Sequence, residues 1–227
     1  LEEQIRLLEN HSAALQYQAH QQAVEKIQNT KNILLDKLQE TNQLPPEMLQ
    51  LYQTQQDSEE RFITDLLIDW GSGDYNFDTG EWTATSNQVY AFDAEIFDIE
   101  RMYTLFLQGV QAIVPDVRIT EVKEDLSGVT DDMEEADNPY EPPSDGVRSV
   151  SFLCNGHPYD AELKSYGDWF NMGMLEFMNQ VLEKEGCEKQ LHLVAGMMDQ
   201  MVVLIYDTEE KAARLRELMG NDFPDMM

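Results

Sequence analysis

Oxygen-bearing side chains alternate in the segment from Asp74 to Asp78. Asp74, Asn76 and Asp78 stand two residues apart, a spacing that lets the ligands of a calcium loop converge on one hard cation. The rest of that loop pattern is missing, because Thr79 stands where a glycine is needed and Thr85 where a bidentate glutamate is needed. We therefore expect an aspartate-rich turn here and no bound metal.

Histidines are the next candidates for chemistry. Two of the four lie nine residues apart in a Gln-rich stretch, a spacing that places them on roughly opposed sides of a helix. His157 and His192 fall in predicted strands, and either ring becomes a general base where a carboxylate orients it. Asp160 and Asp199 are the candidates for that carboxylate. Because structural histidines produce the same pattern, we predict no catalytic residue from it.

The cysteines do not indicate a site either. Cys154 and Cys187 are 33 residues apart, which matches no metal-binding or redox spacing. Cys154 with His192 would make a nucleophile pair, but a buried strand cysteine is usually inert. The sequence lacks a Gly-x-Ser-x-Gly elbow, a phosphate-binding Gly-rich loop, a His-Glu-x-x-His pattern and a Cys-x-x-Cys pattern, so we expect no cofactor.

Acidic and aromatic residues are interleaved between Arg61 and Arg101. The 39 intervening residues contain nine carboxylates and no lysine or arginine. Large aromatic side chains beside turns are costly to expose unless a partner covers them, and Trp and Tyr are common interface anchors. We predict that the segment binds a basic protein surface. The candidate partner-binding residues are Trp70, Asp74, Tyr75, Asp78, Glu81 and Trp82.

Two further expectations accompany this candidate site. Phe92 and Phe97 are expected to enter the core. The stretch from Glu124 to Gly146, with three prolines and nine carboxylates, is expected to be a mobile acidic loop that helps to attract the partner. In the alternative interpretation, the N-terminal helices cover the aromatic rings and the negative charge only keeps the protein in solution.

The charge balance excludes several function classes. With 44 Asp and Glu against 15 Lys and Arg, the net charge of −29 repels nucleic acid and anionic lipid, so we expect neither as a partner. The longest apolar stretch, Met201 to Tyr206, has the length of a strand rather than of a membrane span. Two cysteines favour a reducing, cytoplasmic setting, although the sequence starts at Leu1 and an upstream targeting segment is left open.

Residues 1–68 are predicted to form a helical hairpin. The first helix, residues 1–43, contains neither Gly nor Pro, and its thin apolar stripe from Leu8 to Leu38 also suits a second copy of the chain. A Pro-Pro pair then separates it from the second arm, residues 47–68. The side chains expected to face the first helix or the main domain are Met48, Leu51, Phe62, Leu66 and Leu67.

Residues 69–227 are predicted to form an α+β domain. Strands that follow one another through short turns favour a mostly antiparallel sheet, with the helices packed on one face. The predicted strands are 75–77, 82–84, 88–92, 117–122, 147–154, 157–163, 190–194 and 201–206, the last of which is expected to be central. The predicted helices are one capped by Asp93 that runs to Pro115, one opened by Asp168 that stops at Gly186, and one capped by Asp207-Thr208 that ends at Gly220.

The pair Asn155-Gly156 is the clearest local signal, because it readily adopts the positive φ angles of a two-residue hairpin turn. Such a turn fixes the register, so that Cys154 opposes His157, Phe152 opposes Tyr159 and Val150 opposes Ala161. These six side chains are expected on one buried or half-buried face. Ser151 and Asp160 are expected on the other.

These patterns favour a non-catalytic acidic protein-binding module, an inhibitor or escort of a basic protein. In composition the chain resembles small acidic α+β bacterial proteins that inhibit cognate toxins, although no motif matches a specific family. An alternative is a hydrolase with a dispersed site built from His157, His192 or a pair of carboxylates. In a third interpretation, the N-terminal helices make the protein an oligomer.

Overall fold

The computed structural model describes residues 18, 21–22, 25–26, 29–41, 43, 46, 59–134, 142–196 and 200–219. They form a mixed α+β fold with several antiparallel sheets, which confirms the predicted fold class. The helices are α1 (residues 29–41), α2 (Glu59–Gly71), α3 (Met102–Ile113), α4 (Gly173–Lys184) and α5 (Glu209–Leu218), with a 3-10 turn at Ile99–Arg101. The strands are β1 (Asp74–Asn76), β2 (Glu81–Thr83), β3 (Val89–Asp93), β4 (Ile119–Asp125), β5 (Val129–Glu134), β6 (Ser144–Cys154), β7 (His157–Ser165), β8 (Gln190–Gly196) and β9 (Met201–Asp207).

β9 is the middle strand of a three-stranded antiparallel sheet with the order β3-β9-β8. Five consecutive side chains, from Val202 to Tyr206, are buried. Only a strand that is covered on both faces buries consecutive side chains. The structure therefore confirms that this strand is central.

The two faces of this sheet belong to two separate hydrophobic clusters. Tyr90 and Leu204 contribute to the cluster that contains α3, α4 and a second, four-stranded sheet. Their sequence neighbours Val89 and Val203 contribute to the cluster that contains α1, α2 and α5. The sequence predicted helices on one face only. They pack on both faces, because alternate side chains of β3 and β9 present apolar groups in both directions.

The four-stranded sheet is built around the long strand β6, which pairs with β7 on one edge and with β4 and then β5 on the other. The turn Asn155-Gly156 has φ angles of 52° and 86°, as a two-residue hairpin turn requires. The predicted register is confirmed, with Cys154 opposite His157 and Phe152 opposite Tyr159. His157 is an exception to the predicted burial, since its side chain is 72% exposed at the tip of the hairpin.

The acidic segment from Glu124 to Gly146 is not one continuous loop, because the end of β4, all of β5 and the start of β6 fall within it. Glu124 Oε1 accepts hydrogen bonds from the backbone N and Oγ1 of Thr104, at 2.7 and 2.8 Å. Glu124 Oε2 lies 3.5 Å from the guanidinium of Arg148, and both side chains are buried. A buried pair of opposite charges thus fixes the start of a segment whose composition predicted mobility. Residues 135–141 lie outside the described chain.

Two predicted helices begin later than expected. Neither the chain after Asp93 nor the chain after Asp168 is helical at once, because the two stretches pair with each other. Ile96 N donates to the carbonyl of Asp168 at 2.7 Å, and Phe170 N donates to the carbonyl of Ala94 at 2.7 Å. The carboxylate of Asp93 caps a turn by accepting a hydrogen bond from the next residue but one, at 2.9 Å, instead of capping a helix.

The helices α1 and α2 pack on the three-stranded sheet. Leu66 and Leu67 of α2 are buried, as predicted, whereas the side chains of Met48, Leu51 and Phe62 lie outside the described part of the chain. α2 runs past residue 68, the predicted boundary between two domains, and that division stays a prediction. None of the described helices combines the length and the apolarity needed to cross a membrane.

Candidate functional site

The β1–β2 hairpin carries most of the predicted partner-binding residues. Those on its strands and turn are Asp74, Tyr75, Asp78, Glu81 and Trp82. Tyr75 lies opposite Trp82, and the turn is held by the Asn76 side chain, whose Oδ1 accepts backbone hydrogen bonds at 2.9 and 3.2 Å. The three carboxylates of the hairpin are exposed, so they are accessible to a partner.

One arginine fixes the hairpin to the segment that precedes α3. Arg101 donates to the carbonyl of Gly80 in the hairpin turn at 2.6 Å, and its guanidinium lies 3.6 Å from Asp98. The Tyr75 hydroxyl donates to Asp98 Oδ2 at 3.3 Å. The hairpin and the 93–101 segment therefore form a single surface whose shape is set by polar contacts at its base.

Three aromatic rings of this surface contact one another in solvent. The ring centroids of Tyr75, Phe77 and Phe97 are 4.7 to 5.7 Å apart. Phe77 is 82% exposed and Phe97 is 64% exposed, while Tyr75 is half-buried between them. Contacts between aromatic rings are usually found inside a hydrophobic core. A cluster of aromatic rings on the surface is therefore a candidate interaction site.

Phe97 was predicted to enter the core, and that prediction is wrong. The sequence placed this residue in a helix beginning near Asp93, but the chain here is not helical, and Glu95 forms a β-bridge with Trp169. Ile96 is buried, whereas Phe97, at the bend that follows the bridge, faces solvent. Phe92, the other residue expected in the core, is half-buried and packs against it.

The two predicted tryptophan anchors do not face outward. Trp70 is only 2% exposed and belongs to the cluster beneath α1 and α2, so it is not available to a partner. Trp82 is half-buried, and its Nε1 donates to the carbonyl of Ser72 at 2.9 Å. The Trp82 ring lies against Gly73, where an added Cβ would meet ring atoms at 2.4 Å. Trp82 therefore forms a wall of the surface rather than its contact face.

Between the hairpin, β3 and α3 lies a cavity of about 260 Å³. Six aromatic side chains line it: Tyr75, Trp82, Tyr90, Phe92, Phe97 and Phe106. The carboxylates of Asp93 and Glu95 lie at its edge and are exposed. The exposed ring cluster thus continues inward as an aromatic cavity, a feature that the sequence did not predict.

Negative charge surrounds the ring cluster. The carboxylates on the hairpin, on the 93–101 segment and beside Trp169 are Asp74, Asp78, Glu81, Asp93, Glu95, Asp98, Glu100 and Asp168. The one base in the 93–101 segment is Arg101, which already contacts Asp98 and the hairpin. These elements therefore carry both exposed aromatic rings and exposed carboxylates. Glu124 is buried with Arg148 and does not add to this negative charge.

His157 is oriented by a carboxylate other than the predicted Asp160. Its Nδ1 lies 2.9 Å from Glu185 Oε1, and the same oxygen accepts a hydrogen bond from the Tyr159 hydroxyl at 2.6 Å. The Tyr159 bond, with further bonds from His157 and Asn155, holds the pKa of Glu185 below its usual value. The carboxylate that would activate His157 thus also joins the hairpin turn to the end of α4, which is a structural role.

His192 and Cys154 do not form a nucleophile pair. One ring nitrogen of His192 lies 2.9 Å from the carbonyl of Asp207, and the other lies 3.0 Å from Glu209. Cys154 is fully buried, and burial raises the pKa of its thiol to about 11. A thiol in that environment stays protonated at neutral pH and is a poor nucleophile. Asp199, the other predicted partner of a histidine, lies outside the described residues.

A larger and more polar cavity, of about 690 Å³, lies where α1, the end of α4 and β9 meet. Five carboxylates line it: Asp36, Asp116, Glu185, Glu188 and Asp207. Asp116 accepts a bond from the Tyr206 hydroxyl at 2.8 Å, and Lys211 lies 3.1 Å from Asp207. Neither His157 nor His192 lines this cavity.

Across the described residues, no three His, Cys, Asp or Glu side chains are grouped so that they could hold a metal ion. Asn76, whose spacing suggested a calcium loop, uses its side-chain oxygen to close the hairpin turn.

Comparison of the chain with known protein families, with curated proteins and with solved structures finds no match.

Proposed function

We propose that this protein is a non-catalytic binding protein whose partner is a basic protein. The binding surface consists of the ring cluster Tyr75, Phe77 and Phe97 and the carboxylates around it; we call it the acidic aromatic surface. The exposure of this cluster is the observation that carries the proposal, because Phe77 is 82% and Phe97 64% exposed while the two rings contact each other. Aromatic residues at the centre of an interface commonly supply most of its binding energy.

The negative charge of the acidic aromatic surface determines which proteins it binds. The acidic border attracts a positively charged surface, which raises the rate of association with basic proteins. It repels an acidic surface, which disfavours binding of acidic proteins. The same charge disfavours nucleic acid as a partner. An acidic chain that covers the basic surface of another protein acts as its inhibitor or its escort, and that is the biological role that we propose.

Capture of a partner from a lysate of the source cells tests this function. We expect the native chain to retain a basic protein that moderate salt releases, and we expect the triple variant Asp74→Lys, Asp78→Lys and Glu81→Lys to lose it. The matched control, Asp160→Lys, Glu162→Lys and Glu183→Lys, makes the same change in net charge at exposed positions of β7 and α4. Equal capture by the two triple variants would contradict the proposal.

A hydrolase is the second candidate, because the polar cavity near Asp116 is large enough for a small substrate, at about 690 Å³. Turnover of chromogenic ester or glycoside substrates by the native chain, lost in Asp116→Asn, would favour it.

Self-association through the N-terminal helices stays a prediction. Of the apolar stripe on the first helix, Leu38 is buried and Leu34 half-buried against the three-stranded sheet, so both already have contacts within the chain. Sedimentation of the full chain measures whether the other stripe residues join two copies.

A further inference from the structure

The aromatic cavity behind the acidic aromatic surface has the size of a side-chain pocket. Its volume of about 260 Å³ lies below the ~300–1,000 Å³ that is usual for small-molecule sites. It opens beside the exposed rings, because Tyr75 and Phe97 belong both to the ring cluster and to the cavity wall. Whatever enters the cavity therefore also touches the proposed binding surface.

The cavity wall favours an uncharged, apolar occupant. The Tyr90 hydroxyl donates to the carbonyl of Leu105 at 3.4 Å, the Tyr75 hydroxyl to Asp98 at 3.3 Å, and Trp82 Nε1 to a backbone carbonyl at 2.9 Å. The polar atoms of these three rings are thus engaged within the chain, and burial raises the pKa of Tyr90 above its ordinary value, so that its hydroxyl stays protonated. What these side chains offer an occupant is their ring carbons. A polar occupant would lose its hydration there with little return.

The opening of the cavity has the opposite character. Asp93 and Glu95 line the cavity and are exposed to solvent. A positive charge next to an inserted apolar group would meet one of these two carboxylates. The pattern complementary to this site is therefore an apolar side chain flanked by lysine or arginine.

We infer that the cavity receives one large apolar side chain, of the Leu, Met or Phe class, from a basic segment of the partner protein. This inference rests on the proposed function and deepens it, because it states what the partner segment must contain. Such a side chain is expected to raise the affinity about tenfold or more over alanine at the same position, because the apolar surface beyond its Cβ leaves water.

Fluorescence anisotropy with synthetic peptides tests the inference. The probes are labelled peptides of alternating Lys and Gly that differ only at one central residue, which is Phe, Leu or Ala. We expect the native chain to bind the Phe or Leu peptide about tenfold or more tightly than the Ala peptide at low salt. We also expect salt to weaken all three, because the lysine contacts are common to them.

Two variants assign the preference to the cavity. Leu105 is half-buried and lines the cavity, so Leu105→Trp is expected to fill it and abolish the preference for Phe or Leu, with the affinity for the Ala peptide unchanged. Phe97→Ala removes an exposed part of the wall without disturbing the core, and it is expected to reduce the preference at least severalfold. Ile33→Ala, at an exposed position on α1, is the control and should change nothing.

The outcomes separate this inference from the proposed function. Equal, salt-sensitive binding of all three peptides would overturn the inference and leave the proposed function standing. Retention of the preference in both Leu105→Trp and Phe97→Ala would also overturn it. Failure of the native chain to bind any of the basic peptides would count against the proposed function and the inference together.

Discussion

The β6–β7 and β1–β2 hairpins both place two aromatic residues opposite each other, and they differ in what covers these residues. In β6–β7, Phe152 lies opposite Tyr159 with ring centroids 6.0 Å apart. In β1–β2, Tyr75 lies opposite Trp82. α4 covers the first pair, and Phe177 packs 6.2 Å from Phe152. In the second pair Trp82 packs against Tyr90 of the core, while Tyr75 contacts the exposed rings of Phe77 and Phe97.

This difference indicates which hairpin is available for recognition. An aromatic cross-strand pair stabilises either hairpin locally, but only the pair that is covered from within the chain contributes fully to the core. The β6–β7 pair is part of the folding core, as the 2% exposure of Phe152 shows. Phe77, the residue that follows β1, lacks such a cover, since its side chain is 82% exposed, and we propose that a partner supplies it.

The largest expected difference between the hairpins is in stability. Phe152→Ala is expected to lower the free energy of unfolding by about 3–5 kcal/mol, because it removes a buried ring and leaves a cavity. Phe77→Ala is expected to change it by less than about 0.5 kcal/mol, because the ring is already largely in water. Urea unfolding of both variants measures the difference. Similar losses would show that Phe77 is covered within the chain.

A glycine substitution isolates the packing of Trp82. Gly73 has a φ of +70°, and a Cβ there would meet the Trp82 ring at 2.4 Å, so Gly73→Ala is expected to cost about 1–3 kcal/mol and to displace the ring. Gly167→Ala is the matched control, since Gly167 has a φ of +69° with no atom within 4 Å of the added Cβ. Thermal unfolding and tryptophan fluorescence measure both effects. Equal behaviour of the two variants would mean that only backbone strain matters.

A smaller effect is expected from the carboxylate that fixes the β6–β7 turn. Hydrogen bonding to Tyr159, then to His157 and Asn155, lowers the pKa of Glu185 in the folded chain. A lowered pKa adds stability above the unfolded value, near 4.5, and that stability is lost as the pH falls through the lower folded value. Urea midpoints of Glu185→Gln should therefore fall less between pH 7 and pH 3 than those of the native chain. An unchanged pH dependence would remove Glu185 from this role.

The sequence predicted the fold wherever the local signal and the packing agreed. The turn Asn155-Gly156 set the register of β6 and β7, and the apolar run from Met201 to Tyr206 identified the central strand. That apolar run also required cover on both faces of the sheet. The prediction that helices pack on one face only was therefore inconsistent with it. The excess of carboxylates between Arg61 and Arg101 was visible in the sequence because it depends on composition alone.

The errors arose where contacts distant in sequence override local pattern. Phe97 is exposed because residues 94–96 pair with the chain near Trp169 instead of starting a helix. Glu124 is buried because Arg148, 24 residues away, neutralises it. Trp70 is buried because α2 continues to Gly71 over the sheet. None of these contacts can be read from the residues next to those that make it. The pairing near Trp169 is also the one that leaves Phe97 at the wall of the aromatic cavity.

The most direct test of the central claim compares two pairs of exposed apolar residues. The double variant Phe77→Ser and Phe97→Ser removes two rings from the acidic aromatic surface. The control variant Ile33→Ser and Val147→Ser removes two exposed apolar side chains from α1 and β6, outside that surface. Capture of the basic partner at one salt concentration should fall at least tenfold in the first variant and stay near the native level in the second. Native-level capture by the Phe77 and Phe97 variant would contradict the claim that these rings bind the partner.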